Sequence, residues 1–330
     1  MQKAAGSVYF YAPNRGAAIF FTAAFAASGL VHLGQCKSYQ FFKVTALLPI
    51  CCAFATAAFA TRAYSSSHTD DAPVYTASML LLYIFPPILA LANSLILGRL
   101  FSFVPYFAPM HPSRMLVTFA SLTGVIELVT IAGIAYLTNR DLSDKLLLIG
   151  NTLTKASLVL PLLVITVIFV LAGIFHRCCR AGKIKAPQVT RPLLVLYASM
   201  LLILGRTLFR TVEQFRGSAW INRGDGSLPL TPAVRYEWYF YVFDAAPMLI
   251  VSVLWNIWHP GRFLPRDRRA YLAQDGVTVL MGPGWKDSRS LTETFFNPFA
   301  MLTTRGGHQK QFWESNGYAL RSTGRRNRRT

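Results

Sequence analysis

Apolar residues along this chain fall into long runs that are separated by short polar stretches. A helix that crosses the ~30 Å hydrocarbon core of a bilayer needs about 20 mostly apolar residues, because each residue adds about 1.5 Å. Seven runs reach this length, and they extend from Ala17 to Gln35, Val44 to Ala60, Val74 to Gly98, Met115 to Leu137, Thr152 to Phe175, Leu193 to Val212 and Trp238 to Trp258. The runs lack the two-residue alternation of a membrane barrel, so the pattern predicts an all-α polytopic bundle of seven transmembrane helices.

The composition agrees with a membrane protein. Charged residues make up 14% of the 330-residue chain and hydrophobic residues 53%, whereas an ordinary soluble protein has about 25% charged residues. The formal net charge of +19 would indicate nucleic-acid binding in a soluble chain. Here the basic residues lie in loops and in the C-terminal tail, so we predict membrane lipids with anionic headgroups as partners and no nucleic acid.

Basic loop residues predict the orientation of the bundle. The N-terminus and the loops on its side carry 8 Lys and Arg residues, whereas the opposite loops and the tail carry 22. Because basic residues are retained in the cytoplasm, the N-terminus is predicted outside and the C-terminus in the cytosol. The first run also fits a cleaved signal peptide, since Lys3 and Arg15 precede it, and cleavage would leave six spans and reverse the orientation.

Three parts follow along the chain. Residues 1–16 form an extracellular segment, residues 17–258 the seven-helix membrane domain, and residues 259–330 a basic cytosolic tail. The tail mixes basic, Gly, Ser and Thr residues, which is typical of a disordered segment that is attracted to the inner leaflet or to a cytosolic partner. Cys178 and Cys179 follow the fifth run between two arginines, where they are either palmitoylated or unmodified.

Charged residues inside the sixth and seventh runs are the main functional candidates, because an ionisable group in the bilayer costs about 2.5 to 3.5 kcal/mol and needs a partner. Arg206, Arg210 and Glu213 have i, i+4, i+7 spacing and share one helical face. The seventh run carries a second stripe at the same spacing, which consists of Glu237, Tyr241, Asp244 and Met248.

The two stripes are predicted to lie at the same depth in the membrane. The sixth helix exits outward near Glu213 and the seventh enters near Glu237, so Arg206 and Asp244 both lie ~10 Å inside the outer boundary. We expect an Arg206 to Asp244 pair with Arg210 near Glu237 or Tyr241. The cluster is either a static clamp between helices or the floor of an outward-open cavity for a lipid headgroup or an amphipathic amine. Two cations against three acids leave one surplus carboxylate to attract an amine.

Other buried polar residues are secondary candidates. Glu127, in the fourth run, is either protonated or paired with Lys155 of the fifth. His32 is interpreted as a hydrogen-bonded packing histidine. The six histidines include no pair at i, i+3 or i+4, so we predict no metal, no cofactor and no enzyme of the lipid amidase class, which needs clustered zinc ligands.

Prolines and one arginine complete the candidates in the membrane. Pro86, Pro87 and Pro161 lie inside predicted helices, where proline kinks the helix and frees a carbonyl group that can line a cavity. Arg99 lies at the inner end of the third run, where its side chain is expected to reach up to the interface.

The stretch from Tyr197 to Gly261 resembles the fungal lipid-translocating exporter family, the RTA-like proteins, whose pattern joins R-x3-R-x2-E-x3-G to E-x3-Y-x2-D-x3-M and H-P-G. In this chain the pattern reads Arg206, Arg210, Glu213, Gly217, Glu237, Tyr241, Asp244, Met248, His259, Pro260 and Gly261. Of the family's E-x2-G-Y-x2-R pattern in the second helix, this chain keeps only the arginine, which is Arg62. In the fourth helix the family's acid is replaced by Thr123, one turn from Glu127.

The resemblance implies export or movement of amphipathic lipids such as sphingoid long-chain bases, or of toxic amphiphiles, with a link to stress resistance. We predict the plasma membrane as the location, with an endomembrane as the alternative. The chain has no Walker P-loop, which argues against direct ATP-driven pumping. A seven-helix receptor or sensor, in which the same cavity binds a lipid without moving it, remains the rival class.

Overall fold

The computed structural model describes residues 13–138, 143–223, 236–273 and 275–282. This part of the chain contains seven helices that are long and apolar enough to cross a membrane, so the protein is an integral membrane protein. The first six spans are Arg15–Tyr39, Leu47–Ser65, Ala72–Phe103, Pro112–Thr138, Asp144–Ala181 and Pro187–Arg223. The seventh span joins the α-helix Trp238–Phe240, a π turn at Tyr241–Ala245 and the α-helix Ala246–Ile257.

The predicted spans are confirmed, but most helices are longer than their apolar runs, and the fifth and sixth exceed them by the most. The fifth span has 38 residues, or about 57 Å, so it extends well past a hydrocarbon core of about 30 Å. Polar residues continue the helix at both ends because a helix satisfies its own backbone hydrogen bonds in water as well as in lipid. Apolar runs therefore locate the membrane part of a helix rather than its ends.

The third span lies at the centre of the bundle and contacts the second, fourth, fifth and sixth spans. The first span packs against the second and seventh, as an integral member of the bundle. The rings of Phe25 and Phe59 stack with centroids 5.6 Å apart, and Phe85 of the third span meets Phe25 edge-on at 5.8 Å. Leu30 and Leu128 are each 70% exposed, as expected of side chains that face lipid.

Close packing of the fourth and fifth spans depends on glycine. A Cβ atom on Gly133 would lie 2.6 Å from Thr154 Oγ1 and 2.9 Å from the Thr154 backbone nitrogen. Gly133→Ala is therefore expected to destabilise the protein by about 1 to 3 kcal/mol, because the two helices must move apart. Thermal unfolding of the purified protein in detergent checks this result. Gly124→Ala on the same helix is the control, since a Cβ atom there would have no atom within 4 Å apart from the backbone of its own helix. Equal destabilisation by both substitutions would contradict the packing argument.

The two ends of the bundle are named by the termini they carry. The N-terminal face holds Asn14 and the start of the seventh span, and the C-terminal face holds the loop after the first span and the chain beyond the seventh. At the C-terminal face, His259 Nδ1 accepts a hydrogen bond from the Gly261 backbone N–H (3.1 Å), and the His259 ring stacks on Tyr39 at 5.1 Å. A Cβ atom on Gly261 would lie 2.7 Å from Tyr39 Cβ. The His259-Pro260-Gly261 motif thus holds the chain as it leaves the membrane.

The predicted tail is folded at its beginning, which corrects the expectation of disorder for residues 259–282. A 3-10 turn at Pro260–Arg262 leads to the antiparallel strands β1 (Ala270–Leu272) and β2 (Val279–Met281), and β1 is buried. Tyr106 donates a hydrogen bond from its hydroxyl to the Leu272 carbonyl oxygen (2.8 Å). The apolar residues of β1 give this short segment a buried face that the average composition of the tail conceals. Residues 283–330 and residues 1–12 lie outside the described parts.

The turn of this hairpin is fixed by local hydrogen bonds. The Thr278 hydroxyl and the backbone N–H groups of Val277 and Thr278 donate to the Asp275 carboxylate, which holds the pKa of that carboxyl below its usual range. Gly276 adopts a φ of +73°, a left-handed conformation that suits glycine. The turn is thus built from side chains that do not depend on the membrane.

Arg99 also departs from its prediction. Its side chain does not reach toward solvent but is only 3% exposed. Its Nη2 group donates hydrogen bonds to the backbone carbonyl oxygens of Pro265 (2.6 Å) and Asp267 (2.7 Å). The third span and the chain beyond the seventh span are therefore joined by a buried guanidinium group.

Candidate functional site

The charged stripe of the sixth span meets Asp244 of the seventh. Arg206 Nε donates to Asp244 Oδ1, as the matched depths predict. Arg210 Nη1 lies 2.6 Å from Glu213 Oε2, and Arg210 Nε lies 3.7 Å from Asp244 Oδ2. The four side chains form one charge network, in which Arg206 and Asp244 are almost fully buried.

Glu237 does not belong to this network, so the expected contact between Arg210 and Glu237 or Tyr241 is wrong. Glu237 Oε1 instead accepts a hydrogen bond from Arg62 Nη2 of the second span (2.8 Å), and the two side chains are 7% and 1% exposed. The Glu237 carboxylate also accepts from the Asn14 backbone N–H at 2.5 Å. Arg62 Cζ lies 4.4 Å from the centroid of the Phe240 ring, which adds a cation–π contact.

The π turn explains why the two acids of the seventh span face different partners. In an α-helix each residue advances by about 100°, so a spacing of seven returns to the same face. A π turn holds more residues in each turn, because its hydrogen bonds reach from residue i to residue i+5. The turn at Tyr241–Ala245 lies between Glu237 and Asp244 and rotates one relative to the other. Glu237 therefore points to the second span, and Asp244 points to the sixth.

Tyr241 and Met248 of the predicted motif have structural contacts. The Tyr241 hydroxyl donates to the Asn14 carbonyl oxygen (3.3 Å), and the Tyr241 ring stacks on Phe21 at 5.4 Å. Met248 is fully buried in the core. Gly217 lies in the last turns of the sixth helix, where only the backbone is described.

A narrow, mostly apolar cleft with several polar side chains opens between the third, fourth, fifth and sixth spans. We call it the membrane cleft, and its polar lining residues are Tyr83, Thr123, Glu127, Thr130, Ser157, Arg206 and Thr207. Its volume is about 50 Å³, which is room for a few water molecules. Arg206 joins the cleft to the charge network, and so does Tyr83, whose ring centroid lies 4.9 Å from Arg210 Cζ.

Three prolines line the membrane cleft, as the sequence analysis anticipated for helix kinks. Pro86 and Pro87 enter from the third span and Pro161 enters from the fifth. A proline cannot donate to the carbonyl four residues earlier, and for Pro87 and Pro161 these residues are Tyr83 and Ser157. Both residues belong to the lining of the cleft, so the residues whose carbonyl groups lack this helical donor are also residues of the cleft.

Glu127 is the acid of the membrane cleft. Lys155 does not pair with it, because the Lys155 ammonium group lies 5.4 Å from the centroid of the Phe215 ring and forms no ion pair with Glu127 in the described residues. Glu127 Oε2 is buried and has no hydrogen-bond partner among the side chains and backbone groups described. Of the two predicted states of Glu127, protonated or paired with Lys155, the pair is not formed. The unpartnered carboxyl oxygen can accept a hydrogen bond or, when protonated, donate one inside the membrane part of the protein.

A second polar cluster joins the first, second and seventh spans near the C-terminal face. The hydroxyl groups of Ser28 and Ser252 lie 2.6 Å apart, and Cys52 Sγ lies 3.2 Å from Ser252 Oγ. His32 Nε2 lies 3.2 Å from the Ser252 carbonyl oxygen, and Asn256 Nδ2 donates to Ser28 Oγ at 2.6 Å. These contacts support the interpretation of His32 as a packing histidine, because the cluster is a neutral seam between helices.

All five cysteines are free thiols. Cys179 is only 3% exposed, whereas Cys178 is partly exposed, so of this pair Cys178 is the residue that an acyltransferase could reach. Within residues 13–138, 143–223, 236–273 and 275–282, no three His, Cys, Asp or Glu side chains come together as metal ligands.

A comparison with known protein families matches the part of the chain that contains the charge network and the membrane cleft. The family described as "RTA1 like protein" matches residues 48–267 of this chain. The chain belongs to the RTA1-like family. The matched range begins at the second span and contains Arg62, the lining of the membrane cleft and both carbonyl partners of Arg99.

Three similar proteins come from fungi. A "lipid-translocating exporter-like protein RTA1" of Leptosphaeria maculans is 40% identical over 285 residues, which cover 83% of this chain and 55% of that protein. A protein of the same description from Ajellomyces capsulatus is 28% identical, over 78% of this chain and 81% of its own length. A "probable lipid transporter atnI" of Emericella nidulans is 25% identical, over 78% and 69%. No solved structure matches.

Proposed function

We propose that this protein moves amphipathic lipids across a fungal membrane, in keeping with the lipid-exporter and lipid-transporter names of its relatives. The observation that carries the proposal is the membrane cleft, where a buried Glu127 oxygen without a partner lies among polar side chains inside the bundle. An unpartnered acid in the bilayer is costly, and such groups mark binding sites and pathways in membrane proteins.

The proposed ligand is an amphiphile with an amine headgroup, such as a sphingoid long-chain base. Arg62 pairs with Glu237, so among the described residues three arginines match the three acids Glu213, Glu237 and Asp244, and these three acids leave no surplus carboxylate. Glu127 Oε2 is the carboxyl oxygen that has no hydrogen-bond partner among the described residues, and Arg206 of the same cleft acts on this carboxyl group electrostatically. An ammonium group would find this carboxylate, the Tyr83 hydroxyl and the carbonyl oxygens freed by proline as acceptors, while the tail of the lipid remains in the hydrocarbon region.

Transport by this route requires a conformational change. A volume of about 50 Å³ is far below the ~300 to 1,000 Å³ of a typical ligand site. The three prolines interrupt the hydrogen bonding of the third and fifth helices beside the cleft, and interrupted helices bend at such points. We propose that the third and fifth spans bend at these prolines to admit the lipid.

The first experiment measures flux of a labelled sphingoid base and of labelled phosphatidic acid in vesicles that contain the full chain. Glu127→Gln is expected to reduce amine flux by about tenfold, since it removes the charge and keeps the shape, and to leave phosphatidic acid flux unchanged. Asp144→Asn, an exposed acid at the start of the fifth helix, is the matched control and should retain both fluxes. Equal loss for both lipids would show that Glu127 does not select amines, and no loss with Glu127→Gln would remove Glu127 from the pathway.

Binding of the base without any flux would instead assign the chain to the receptor class. We propose no enzymatic activity, because the polar groups of the membrane cleft offer one carboxylate and hydroxyl groups rather than an assembled set of zinc ligands. We also propose that the N-terminal face is outside and the C-terminal face is cytosolic, from the 22 to 8 division of basic residues. The plasma membrane is the proposed location.

A further inference from the structure

A large open cleft lies at the C-terminal face, away from the membrane cleft. We call it the basic cleft, and its volume is about 880 Å³. The chain between the first and second spans forms one wall, and the segment that follows the seventh span forms another. Its lining residues are Lys37, Gln40, Phe41, Phe42, Lys43, Val44, Arg99, Arg266, Asp267, Arg268 and Arg269.

The charge of the basic cleft is strongly positive. Six of its lining residues are Lys or Arg and one is an acid. The Asp267 side chain accepts a hydrogen bond from the Arg269 backbone N–H (2.9 Å), so that acid helps to shape the turn. The surrounding lysine and arginine side chains are exposed. A cavity with this excess of cations attracts a multiply charged anion.

Arg99 gives the basic cleft a buried anchor for that anion. The side chain is 97% buried, since its exposed fraction is 3%. Nη2 is occupied by the two backbone carbonyls of the tail segment, but Nε and Nη1 are buried and have no hydrogen-bond acceptor among the described residues. A fixed guanidinium group with free N–H donors matches the oxygens of a phosphate.

The loop after the first span indicates that the phosphate belongs to a membrane lipid. Phe42 lines the basic cleft, and it is 47% exposed beside Lys43. The short helix Phe42–Thr45 lies between the first and second spans, so Phe42 sits where spans leave the membrane. Exposed aromatic residues beside basic ones at this depth are typical of a membrane interface.

We propose that the basic cleft binds the phosphate headgroup of an anionic membrane lipid, with Arg99 at its base and Lys43, Arg266, Arg268 and Arg269 around the phosphate. The headgroup bridges the loop after the first span and the segment after the seventh, so it clamps the C-terminal face. This site is separate from the membrane cleft, and it stands whether or not the protein transports a lipid.

Binding of a fluorescent short-chain phosphatidylinositol 4-phosphate to the full chain in detergent micelles tests the proposal. The pocket variant combines Lys43→Gln and Arg268→Gln, which remove two exposed charges and leave Arg99 and its backbone contacts in place. The control variant combines Arg180→Gln and Lys185→Gln, which remove two exposed charges from another cleft on the same face. Thermal unfolding of each variant verifies that the fold is retained.

The pocket variant is expected to bind the phosphoinositide at least about tenfold more weakly, since each basic residue near a membrane surface contributes about 1 kcal/mol. The control variant is expected to stay within about threefold of the unmodified protein. Two competitors should displace the fluorescent phosphoinositide poorly. They are phosphatidylcholine and soluble inositol 1,4-bisphosphate, which is the free headgroup of the probe.

Three results would overturn the proposal. Equal weakening in the two variants would show diffuse attraction of the whole face to anions, and unchanged binding in the pocket variant would place the phosphate elsewhere. If soluble inositol 1,4-bisphosphate competed at the same concentration as unlabelled phosphatidylinositol 4-phosphate, the ligand would be a free phosphate and not a membrane lipid.

Discussion

Asp244→Arg is expected to abolish the accumulation of folded protein. Asp244 is the acid shared by Arg206 and Arg210, and it is 3% exposed, so the substitution places three cations together in the membrane. Removal of one partner of a buried pair alone costs about 3 to 5 kcal/mol, a large part of the ~5 to 15 kcal/mol that keeps a typical protein folded. Fluorescence-detected size exclusion of the tagged full chain measures the loss.

A charge swap distinguishes pairing from general damage. The double variant Arg206→Asp with Asp244→Arg should recover part of the folded peak, because it restores the opposite charges at one contact. Recovery will be incomplete, since Arg210 still faces position 244. Asp70→Arg, the same reversal at an exposed loop position, is the control and should accumulate normally. If the swap recovers nothing, Arg206 and Asp244 do not act as partners.

Arg62→Met is expected to destabilise the protein by about 3 to 5 kcal/mol, because it leaves the buried Glu237 carboxylate without its cation. It also removes the contact between Arg62 and the Phe240 ring. Thermal unfolding in detergent measures the change. Adding Glu237→Gln to Arg62→Met should recover most of the loss, because the uncompensated charge disappears.

An exposed arginine on the same face supplies the control for this pair. Arg15→Met removes a cation from the first turn of the first span, where the side chain is exposed, and should change stability by less than about 0.5 kcal/mol. Additive effects of Arg62→Met and Glu237→Gln, with no recovery in the double variant, would show that the ion pair contributes nothing beyond its separate side chains.

The seven spans were predictable because bilayer thickness imposes a length on each apolar run, whatever the packing. The Arg206 to Asp244 contact was also predictable, since two regular helices that run in opposite directions fix the depth of each residue. The Arg62 to Glu237 pair was not. It depends on a π turn that no spacing rule reveals, and on a second span that is remote in the sequence. The only signal was a lone arginine at the end of that span.

The folded start of the tail shows a second limit. Composition over residues 259–330 is basic and polar, and it hides the three buried residues of β1. The position of Arg99 at the end of a span predicts a side chain that reaches to water, as most such arginines do. Its actual partners are two backbone carbonyl oxygens. Every residue has a backbone carbonyl group, so the amino-acid sequence does not indicate which ones Arg99 contacts. The prolines and Glu127 indicated from the sequence that polar groups line the interior of the bundle. Nothing in the sequence indicated how narrow the membrane cleft is.

The contact between Arg99 and Pro265 also sets an order of assembly during synthesis. The two residues are 166 positions apart in the chain, so at about 5 to 20 residues per second the ribosome makes Pro265 about 8 to 33 s after Arg99. During that interval four further spans enter the membrane while the Arg99 guanidinium group still depends on water or lipid headgroups for its hydrogen bonds. The third span therefore reaches its final state only when the last part of the membrane domain has been made, and a chain that stops before Pro265 lacks both carbonyl partners of Arg99.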